Sequence, residues 1–267
     1  MVEQQYQTIL YDCEDGIASV AFNRPDVHNA FNDVMIHELT DVFSKIEKRA
    51  DIRVVVVSGK GKSFCAGADL NWMKRVKDYS YDDNLKESLE LSDMLYAIYS
   101  CPKPTIARVN GAAIGGGTGL VAVCDIAVAA RTAKFSFSEV KIGLIPACIS
   151  PYVVKKCGEG KCREFFLTGE RMTAERALGA GLINKVTELE ELDNEVGQYA
   201  SQLLSSGPDA ISRCKDLLRN VPMMNYGEVK RYTAEVIAQI RGSVEGQEGM
   251  NAFLQKRKPR WNSDGGA

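Results

Sequence analysis

The sequence predicts an α/β fold that ends in a helical region. Strand-like runs alternate with amphipathic helical patterns up to about residue 150, and almost every later segment has helical periodicity. The run "IRVVVVS" at 52–58 is β-branched and continuous, which is typical of a strand buried on both faces. A chain of 267 residues is long enough for a sizeable core. We expect a core over 1–200 and a C-terminal helical region over 201–267.

The strands are predicted first by a hairpin around Asp15 and Gly16, whose arms are 8–14 and 17–23. The other predicted strands are 52–58, 105–110, 126–130, 134–137 and 182–186. The predicted helices are 31–49, 70–78, 83–100, 116–124, 150–157, 159–167, 173–179, 188–206, 208–220, 225–241 and 245–257.

The charge balance argues against nucleic-acid and membrane partners. The formal net charge is −2, with 33 basic and 35 acidic residues, so no strong positive field is expected. No apolar run approaches the ~20 residues that span a bilayer. The first arginine is Arg24, and the amino terminus lacks the apolar segment of a signal peptide. We therefore expect a cytoplasmic protein.

Histidine and cysteine usage excludes several chemistries. Of the two histidines, His28 lies in a loop and His37 in a helical pattern, and we interpret both as structural. G-x-S-x-G and H-E-x-x-H are absent. The nearest cysteines, Cys157 and Cys162, do not have zinc-site spacing. We therefore expect free thiols, no metal, and a chemistry that uses carboxylates and the backbone.

The stretch "VNGAAIGGGTGLVAVCD" at 109–125 contains five glycines from Gly111 to Gly119, after a predicted strand and into the first turn of a predicted helix. It is not a P-loop, and the dinucleotide fingerprint fails because Leu120 follows Gly115 and Gly117. This failure argues against a nicotinamide oxidoreductase. A helix that begins at Gly116 would present unpaired amides and a positive dipole end to a ligand oxygen. A tight, closely packed turn would explain the same glycines.

A second junction of this kind is "SFCAGADLNWM" at 63–73. Ala66, Gly67 and Ala68 leave the backbone open to a ligand, and we expect Asp69 to cap the helix that begins near Leu70. Two such junctions on adjacent strands would place two N–H donors around one oxygen. An oxyanion is stabilised in this way by about 3–4 kcal/mol per donor.

The candidate acid or base is Glu139, in "AKFSFSEVKIGLIPA" at 133–147. Its neighbours are small or apolar, and burial among them would raise the pKa of the carboxyl toward neutrality. The alternative is a solvent-facing glutamate on a loop.

In their order and spacing these stretches resemble the crotonase, or enoyl-CoA hydratase/isomerase, superfamily. "AFNRPDVHNAFN" and "GERMTAERALGAGLINKV" are similar to it as well, and the similarity extends over 6–261. The resemblance implies a spiral of ββα turns followed by C-terminal helices that mediate trimerisation. It also implies an acyl-CoA substrate, whose CoA is part of the substrate rather than a cofactor, and a homotrimer or a dimer of trimers.

The resemblance assigns roles to individual residues. The thioester carbonyl would accept hydrogen bonds from the amides of Ala68 and Gly116, and Glu139 would be the catalytic carboxyl. The backbone of Ala66 would contact the adenine. The predicted substrate-binding residues are Ala66, Gly67, Asp69, Leu70, Gly119 and Ser150, together with Arg24 and Lys256 for the CoA phosphates.

Gly119 departs from the family's pattern. The hydratases usually carry a second glutamate at this position, whereas this chain has none. A glycine inside a helix lowers stability by about 1 kcal/mol relative to alanine, so its presence needs an explanation. It would either make room for a branched or carboxylated acyl group or allow close helix packing.

A further stretch, "LIPACISPYVVKKCGE", resembles the methylglutaconyl-CoA hydratase-type branch. We interpret Ser150 as a helix cap followed by Pro151 at the first helical position, which would aim a helix N-terminus at an acyl carboxylate. We therefore predict a lyase that adds water to a short, possibly branched or carboxylated 2-enoyl-CoA. The alternatives are a Δ3-Δ2-enoyl-CoA isomerase, an acyl-CoA thioester hydrolase and a non-catalytic acyl-CoA binding protein.

Overall fold

The computed structural model describes residues 6–262, so the ends of both predicted regions, 1–5 and 263–267, lie outside it. Within this range ten strands form a six-stranded and a four-stranded sheet, and the predicted α/β class is confirmed. The strands are β1 Ile9–Glu14, β2 Ile17–Phe22, β3 Val54–Gly59, β4 Ser63–Cys65, β5 Thr105–Val109, β6 Ala112–Ile114, β7 Ile126–Ala130, β8 Lys134–Ser136, β9 Arg171–Thr173 and β10 Lys185–Thr187.

The α-helices follow the predicted pattern closely. They are α1 Asp33–Lys48, α2 Leu70–Val76, α3 Tyr81–Ser100, α4 Gly116–Val123, α5 Ser150–Thr168, α6 Ala174–Gly179, α7 Leu192–Leu204, α8 Pro208–Asn220, α9 Tyr226–Gly242 and α10 Val244–Leu254. The predicted helices 150–157 and 159–167 are the two halves of α5, which is broken at Gly158 by a left-handed φ of 73°.

The two sheets are built by a repeated unit. The larger sheet has the order β1-β2-β3-β5-β7-β10, and the smaller has the order β4-β6-β8-β9. Each of β3, β5 and β7 is followed by a short strand of the smaller sheet and then by a helical segment. Most neighbouring strands are parallel, while β1 pairs with β2 and β8 with β9 in the antiparallel sense. This repetition is the expected ββα spiral.

The hydrophobic core lies on both faces of the larger sheet. Val55 and Val57 face the main core, whereas Val54 faces a smaller cluster under α7 that includes Leu192 and Val196. Alternate valines of β3 are therefore buried on opposite sides. Burial on both faces is the physical reason for the continuous β-branched run in the sequence.

The main differences from the predicted secondary structure are short strands that were not predicted. β4, β6 and β9 have three residues each, which is too short for a detectable alternation. The strand expected at 182–186 is shifted to β10, because Leu182 and Ile183 are buried in the turn after α6 instead.

The C-terminal helices α8–α10 are tied to the sheet by a buried lysine. Nζ of Lys215 on α8 lies 2.5 Å from Oδ2 of Asp125, which also accepts a hydrogen bond from the amide of Thr105. Residue 200, where we expect the core to end, lies inside α7, and the division into two regions stays a prediction. None of the helices in 6–262 combines the length and the apolar character needed to cross a bilayer. All eight cysteines are free thiols.

Candidate active site

The first junction, 66–69, links β4 to α2 and is held by an aspartate cap. Oδ1 of Asp69 accepts hydrogen bonds from the amides of Asn71 at 2.7 Å and Trp72 at 3.3 Å, which confirms the predicted cap. Oδ2 lies 2.7 Å from the guanidinium of Arg24. Burial raises the pKa of Asp69, but the hydrogen bonds from Arg24 and the two amides outweigh it, and the net pKa is lowered.

The backbone of this junction is bonded to the segment before α1. The amide of Ala66 donates to the carbonyl of His28 at 3.0 Å, and the amide of Asp69 donates to the carbonyl of Phe31 at 2.9 Å. The Gly67 carbonyl accepts from Phe31 at 2.8 Å. Between these bonds the amide of Ala68 has no acceptor in the described part of the chain. It is therefore open to a ligand, whereas the Ala66 amide is occupied.

The second junction, between β6 and α4, has no side-chain cap. Gly115 takes a positive φ of 55°, and its carbonyl accepts from the amides of Thr118 and Gly119. The amide of Gly115 itself donates to Ser136 at 2.7 Å. Gly116 is the first helical residue, and its amide has no acceptor among residues 6–262. It lies at the positive end of the α4 dipole.

The two junctions lie against each other. A Cβ on Gly67 would be 3.9 Å from the nitrogen of Gly116 and 2.8 Å from the carbonyl oxygen of Ile114. Phe31 forms an isolated parallel bridge with Ala68, and a Cβ on Gly116 would be 2.5 Å from its ring. The residues predicted to bind one carbonyl oxygen are thus brought to the same place, although their role as donors stays a prediction.

Glu139 completes this arrangement. It lies in a 3₁₀ turn, Ser138–Ile142, directly after β8, and a Cβ on Gly115 would be 3.1 Å from its Oε1. Oε2 is buried and has no hydrogen-bond partner in the described chain. Burial raises the pKa of this carboxyl. The alternative of a solvent-facing glutamate is therefore wrong.

A cavity of about 610 Å³ begins at Ala68 and extends between α2 and α3. Such a volume is within the range of small-molecule pockets. Sequence reasoning did not assign its walls, although the apolar faces of the two predicted helices carried the signal. The lining residues are Ala68, Trp72, Met73, Val76, Lys77, Asn84, Glu87, Ser88, Leu91, Ile142 and Leu144.

Gly119 does not contribute open space to the site. A Cβ at this buried position would be 2.1 Å from Cγ2 of Ile149, which is 3% exposed. The space that we considered for an acyl group is filled by Ile149. The structure therefore favours the packing explanation for this glycine, and its assignment as a substrate-binding residue stays a prediction.

The interpretation of Ser150 as a helix cap is also wrong. Ile149 is the cap residue of α5, Ser150 is the first helical residue, and the Ser150 hydroxyl donates to the carbonyl of Ala147 at 2.8 Å. A hydroxyl engaged in its own turn is not aimed at a ligand. Among the described residues, the cavity that begins at Ala68 is not lined by Ser150.

The remaining predicted substrate contacts lie at the surface or are already paired. Arg24 is bound to Asp69, and its side chain is 20% exposed. Leu70 is 73% exposed. Lys256 is exposed in the segment after α10, where Arg257 pairs with Glu248. Phosphate binding by Arg24 and Lys256 stays a prediction.

The sequence model of the enoyl-CoA hydratase/isomerase family matches residues 12–264. The chain belongs to this family. An enoyl-CoA hydratase from Shewanella pealeana is 39% identical and superimposes with a TM-score of 0.94 over 97% of both chains. The match establishes a hydratase-type enzyme, with isomerisation a compatible activity of the family.

Two further solved structures show the same fold. An enoyl-CoA hydratase/isomerase from Marinobacter aquaeolei is 35% identical, with a TM-score of 0.90 over 95% of this chain and 98% of that one. AtuE from Pseudomonas aeruginosa is 31% identical, with a TM-score of 0.93 over 96% and 99%. The expected crotonase superfamily and its architecture are therefore confirmed.

Proposed function

We propose that this enzyme adds water to the double bond of a 2-enoyl-CoA thioester. The thioester carbonyl would bind between the amides of Ala68 and Gly116, and Glu139 would move the proton. The observation that carries this proposal is the Glu139 carboxyl against Gly115, one residue before the open amide of Gly116; its Oε2 is buried and has no hydrogen-bond partner within residues 6–262.

The chemistry requires charge stabilisation at the carbonyl oxygen. When water attacks the β-carbon, an electron pair moves toward the thioester oxygen and an enolate forms. Two preorganised amides, one of them at a helix N-terminus, lower the energy of this oxyanion. The Ala68 and Gly116 amides have no other acceptor within residues 6–262, so they need not break a bond to bind it.

One carboxyl can carry out both proton transfers of the addition. The Glu139 carboxylate takes a proton from water as the new C–O bond forms at the β-carbon. The carboxylic acid then gives that proton to the α-carbon, and the enolate collapses to the saturated thioester. Atoms and charge balance, and Glu139 ends as a carboxylate. Burial raises the pKa of Glu139, which makes its carboxylate a stronger base toward the attacking water.

Isomerisation of a 3-enoyl-CoA is the second candidate, because one observation favours it. Ile149 fills the space beside Gly119, so a single glutamate serves this part of the site. A lone carboxyl suffices to take a proton from one allylic carbon and return it to another. Hydration ranks higher because a structure 39% identical to this chain is named an enoyl-CoA hydratase.

The finer substrate assignment rests on resemblance alone. We propose a member of the methylglutaconyl-CoA hydratase-type branch, with a branched or carboxylated acyl group, on the similarity of 144–159. We also propose a homotrimer or dimer of trimers. Exposed apolar side chains on the C-terminal helices support assembly: Val244 is 88% exposed, Phe253 84% and Leu254 77%.

The test is an assay with 2-enoyl-CoA and 3-enoyl-CoA substrates. Loss of the conjugated-thioester absorbance indicates hydration, its gain from a 3-enoyl substrate indicates isomerisation, and free thiol indicates hydrolysis. Glu139→Gln is expected to lower kcat by about 10²–10⁴-fold, because the proton carrier is lost, while the affinity for the CoA ester is retained. The control is Glu159→Gln, which changes an exposed glutamate of α5. Full activity in Glu139→Gln would remove Glu139 from the mechanism.

A further inference from the structure

Phe31 contacts both junctions of the candidate oxyanion site, one through its backbone and the other through its ring. Its amide donates to the Gly67 carbonyl at 2.8 Å, and its carbonyl accepts from the Asp69 amide at 2.9 Å. These two bonds form the parallel bridge between Phe31 and Ala68. In a bridge of this kind the opposite residue, here Ala68, turns its own N–H away from the partner segment. The backbone of Phe31 therefore helps to determine where the Ala68 amide points.

The ring of Phe31 is buried against the second junction, and the residue is 3% exposed. A Cβ on Gly116 would be 2.5 Å from Cζ and 2.6 Å from Cε1, so the outer edge of the ring lies directly against the first residue of α4. The ring centroid is also 5.7 Å from that of Trp72, and the two planes are 58° apart. Because the ring is packed on both sides, it fixes how closely Gly116 approaches the first junction.

The segment that carries Phe31 is itself anchored on both sides. Before it, the Ala30 carbonyl accepts a hydrogen bond from the guanidinium of Arg24, which also pairs with Asp69. After it, the side chain of Asn32 caps α1. Phe31 is thus held at the start of a 16-residue helix, and its position is not free to follow that of either junction.

Stabilisation of an oxyanion depends on the spacing of its two donors. Each donor must lie about 2.7–3.1 Å from the position that the oxyanion will occupy, and a misplacement of about 1 Å can lower a rate by about 10²-fold. We infer, resting on the proposed function, that Phe31 is a positioning residue that sets the spacing of the Ala68 and Gly116 amides. Among the described residues, Phe31 does not line the cavity that begins at Ala68, so it acts through the two donors.

Phe31→Leu tests the ring while it keeps the backbone bonds. A leucine side chain ends at its Cδ atoms, so it stays apolar but lacks the Cε1 and Cζ atoms that lie against Gly116. The variant is expected to lower kcat for a 2-enoyl-CoA by about tenfold and to change KM by less than about twofold. The reason is that the two amides bind the oxyanion of the transition state more strongly than the carbonyl of the substrate.

The matched control is Phe43→Leu, which makes the same change at another buried position. Phe43 lies on α1 and is 1% exposed, and its ring is not among the atoms nearest to Gly67, Gly115 or Gly116. Denaturant unfolding is expected to show a comparable loss of stability in the two variants, since each removes part of a buried ring. Only Phe31→Leu is expected to lower kcat.

A vibrational measurement separates positioning from stability. Hydrogen bonds to a carbonyl oxygen lower its stretching frequency, so the carbonyl of bound, ¹³C-labelled butanoyl-CoA reports on the two amides. The frequency is expected to fall when this ester binds to the unmodified protein. Phe31→Leu is expected to keep less than about half of that shift, because a hydrogen bond weakens steeply as its distance and angle depart from the optimum. Phe43→Leu is expected to keep all of it.

A full shift in Phe31→Leu, or an equal loss in both variants, overturns the inference. The absence of a shift in the unmodified protein also overturns it, since the two amides would then not bind the carbonyl. Butanoyl-CoA is saturated, so the measurement does not depend on turnover. If the shift is reduced only in Phe31→Leu but no 2-enoyl-CoA is hydrated, the proposed function fails and the positioning role stands. If hydration occurs and Phe31→Leu keeps the full shift, the positioning role fails and hydration stands.

Discussion

The two junctions that form the candidate oxyanion site both link a short strand to a helix, but different interactions stabilise them. The junction at 66–69 is held by side chains: Asp69 caps α2 and pairs with Arg24, and Phe31 is bonded to the backbone on both sides of Ala68. The junction at Gly115 has no side-chain cap. It depends on backbone hydrogen bonds, on the buried Thr118 hydroxyl, which donates to the Ala113 carbonyl at 2.6 Å, and on glycines that allow close approach of the chain.

The glycines of the second junction are required by close packing. A Cβ on Gly117 would be 2.1 Å from the carbonyl oxygen of Cys65, at the end of β4, and a Cβ on Gly119 would overlap Ile149. The stability of the first junction therefore depends on charge and hydrogen bonding. The stability of the second is sensitive to the addition of a single methyl group.

Gly117→Ala is expected to destabilise the protein by about 3 kcal/mol, because the neighbouring atom belongs to the backbone and cannot rotate away. Denaturant unfolding measures this loss. The control is Gly160→Ala, at an exposed position of α5 with no atom within 4 Å of the new Cβ, where a stability gain of about 1 kcal/mol is expected. Equal stability of Gly117→Ala and the unmodified protein would contradict close packing.

Gly119→Ala is expected to lower the free energy of unfolding by about 2 kcal/mol. The obstructing atoms belong to the Ile149 side chain, which can move more readily than backbone. The same substitution in an Ile149→Ala background is expected to cost about 1–2 kcal/mol less, because the obstructing methyl is gone. Thermal unfolding of the four proteins in the cycle gives this coupling energy. An additive cycle would show that Ile149 is not the reason for Gly119.

Asp69→Ala is expected to cost about 1–2 kcal/mol through the lost cap of α2. The folded-state pKa of Asp69 is lowered from 3.8, so its contribution is present above that value and is lost as the pH falls through the folded pKa. Unfolding between pH 3 and 7 is expected to show the variant and the parent converging at low pH. A difference that does not change with pH would indicate that Asp69 acts without its charge.

Glu139→Gln is expected to have the smallest effect on stability, and that effect is a gain. Burial raises the folded-state pKa of Glu139 above 4.5, so the parent loses stability as the pH rises from the unfolded to the folded pKa. The variant cannot ionise and keeps that stability. We expect it to be the more stable protein at pH 7 and to lose this advantage below about pH 4. Lower stability than the parent at pH 7 would contradict an unpaired, buried carboxyl.

Local patterns in the sequence predicted much of the site. Asp69 follows small residues and precedes an apolar helical pattern, and a cap needs only the next two or three residues to form. The position of Glu139 after β8 and the start of α4 at Gly116 are local features of the same kind. The valine run of β3 predicted burial on both faces, because each residue of a strand faces one side or the other.

Contacts between residues far apart in the chain could not be predicted from local sequence patterns. Ile149 lies 30 residues after Gly119, and no periodicity indicates that the first fills the space beside the second. Ser150 was predicted as a helix cap because Pro151 follows it. In the structure the turn at 146–149 makes Ile149 the cap residue of α5 instead. The cavity is lined by α2, α3 and the segment after Glu139, so it could be recognised only when the three were packed together.

Local sequence patterns predicted most of the helices, the bends of small residues and the candidate carboxyl Glu139, because each depends on hydrogen bonding and burial within a few residues. The tertiary structure was needed to show that Gly119 meets Ile149 and that α2 and α3 line a cavity beside Ala68. Both depend on steric fit between segments far apart in the chain, and a fit of that kind is set by the packing of the whole core.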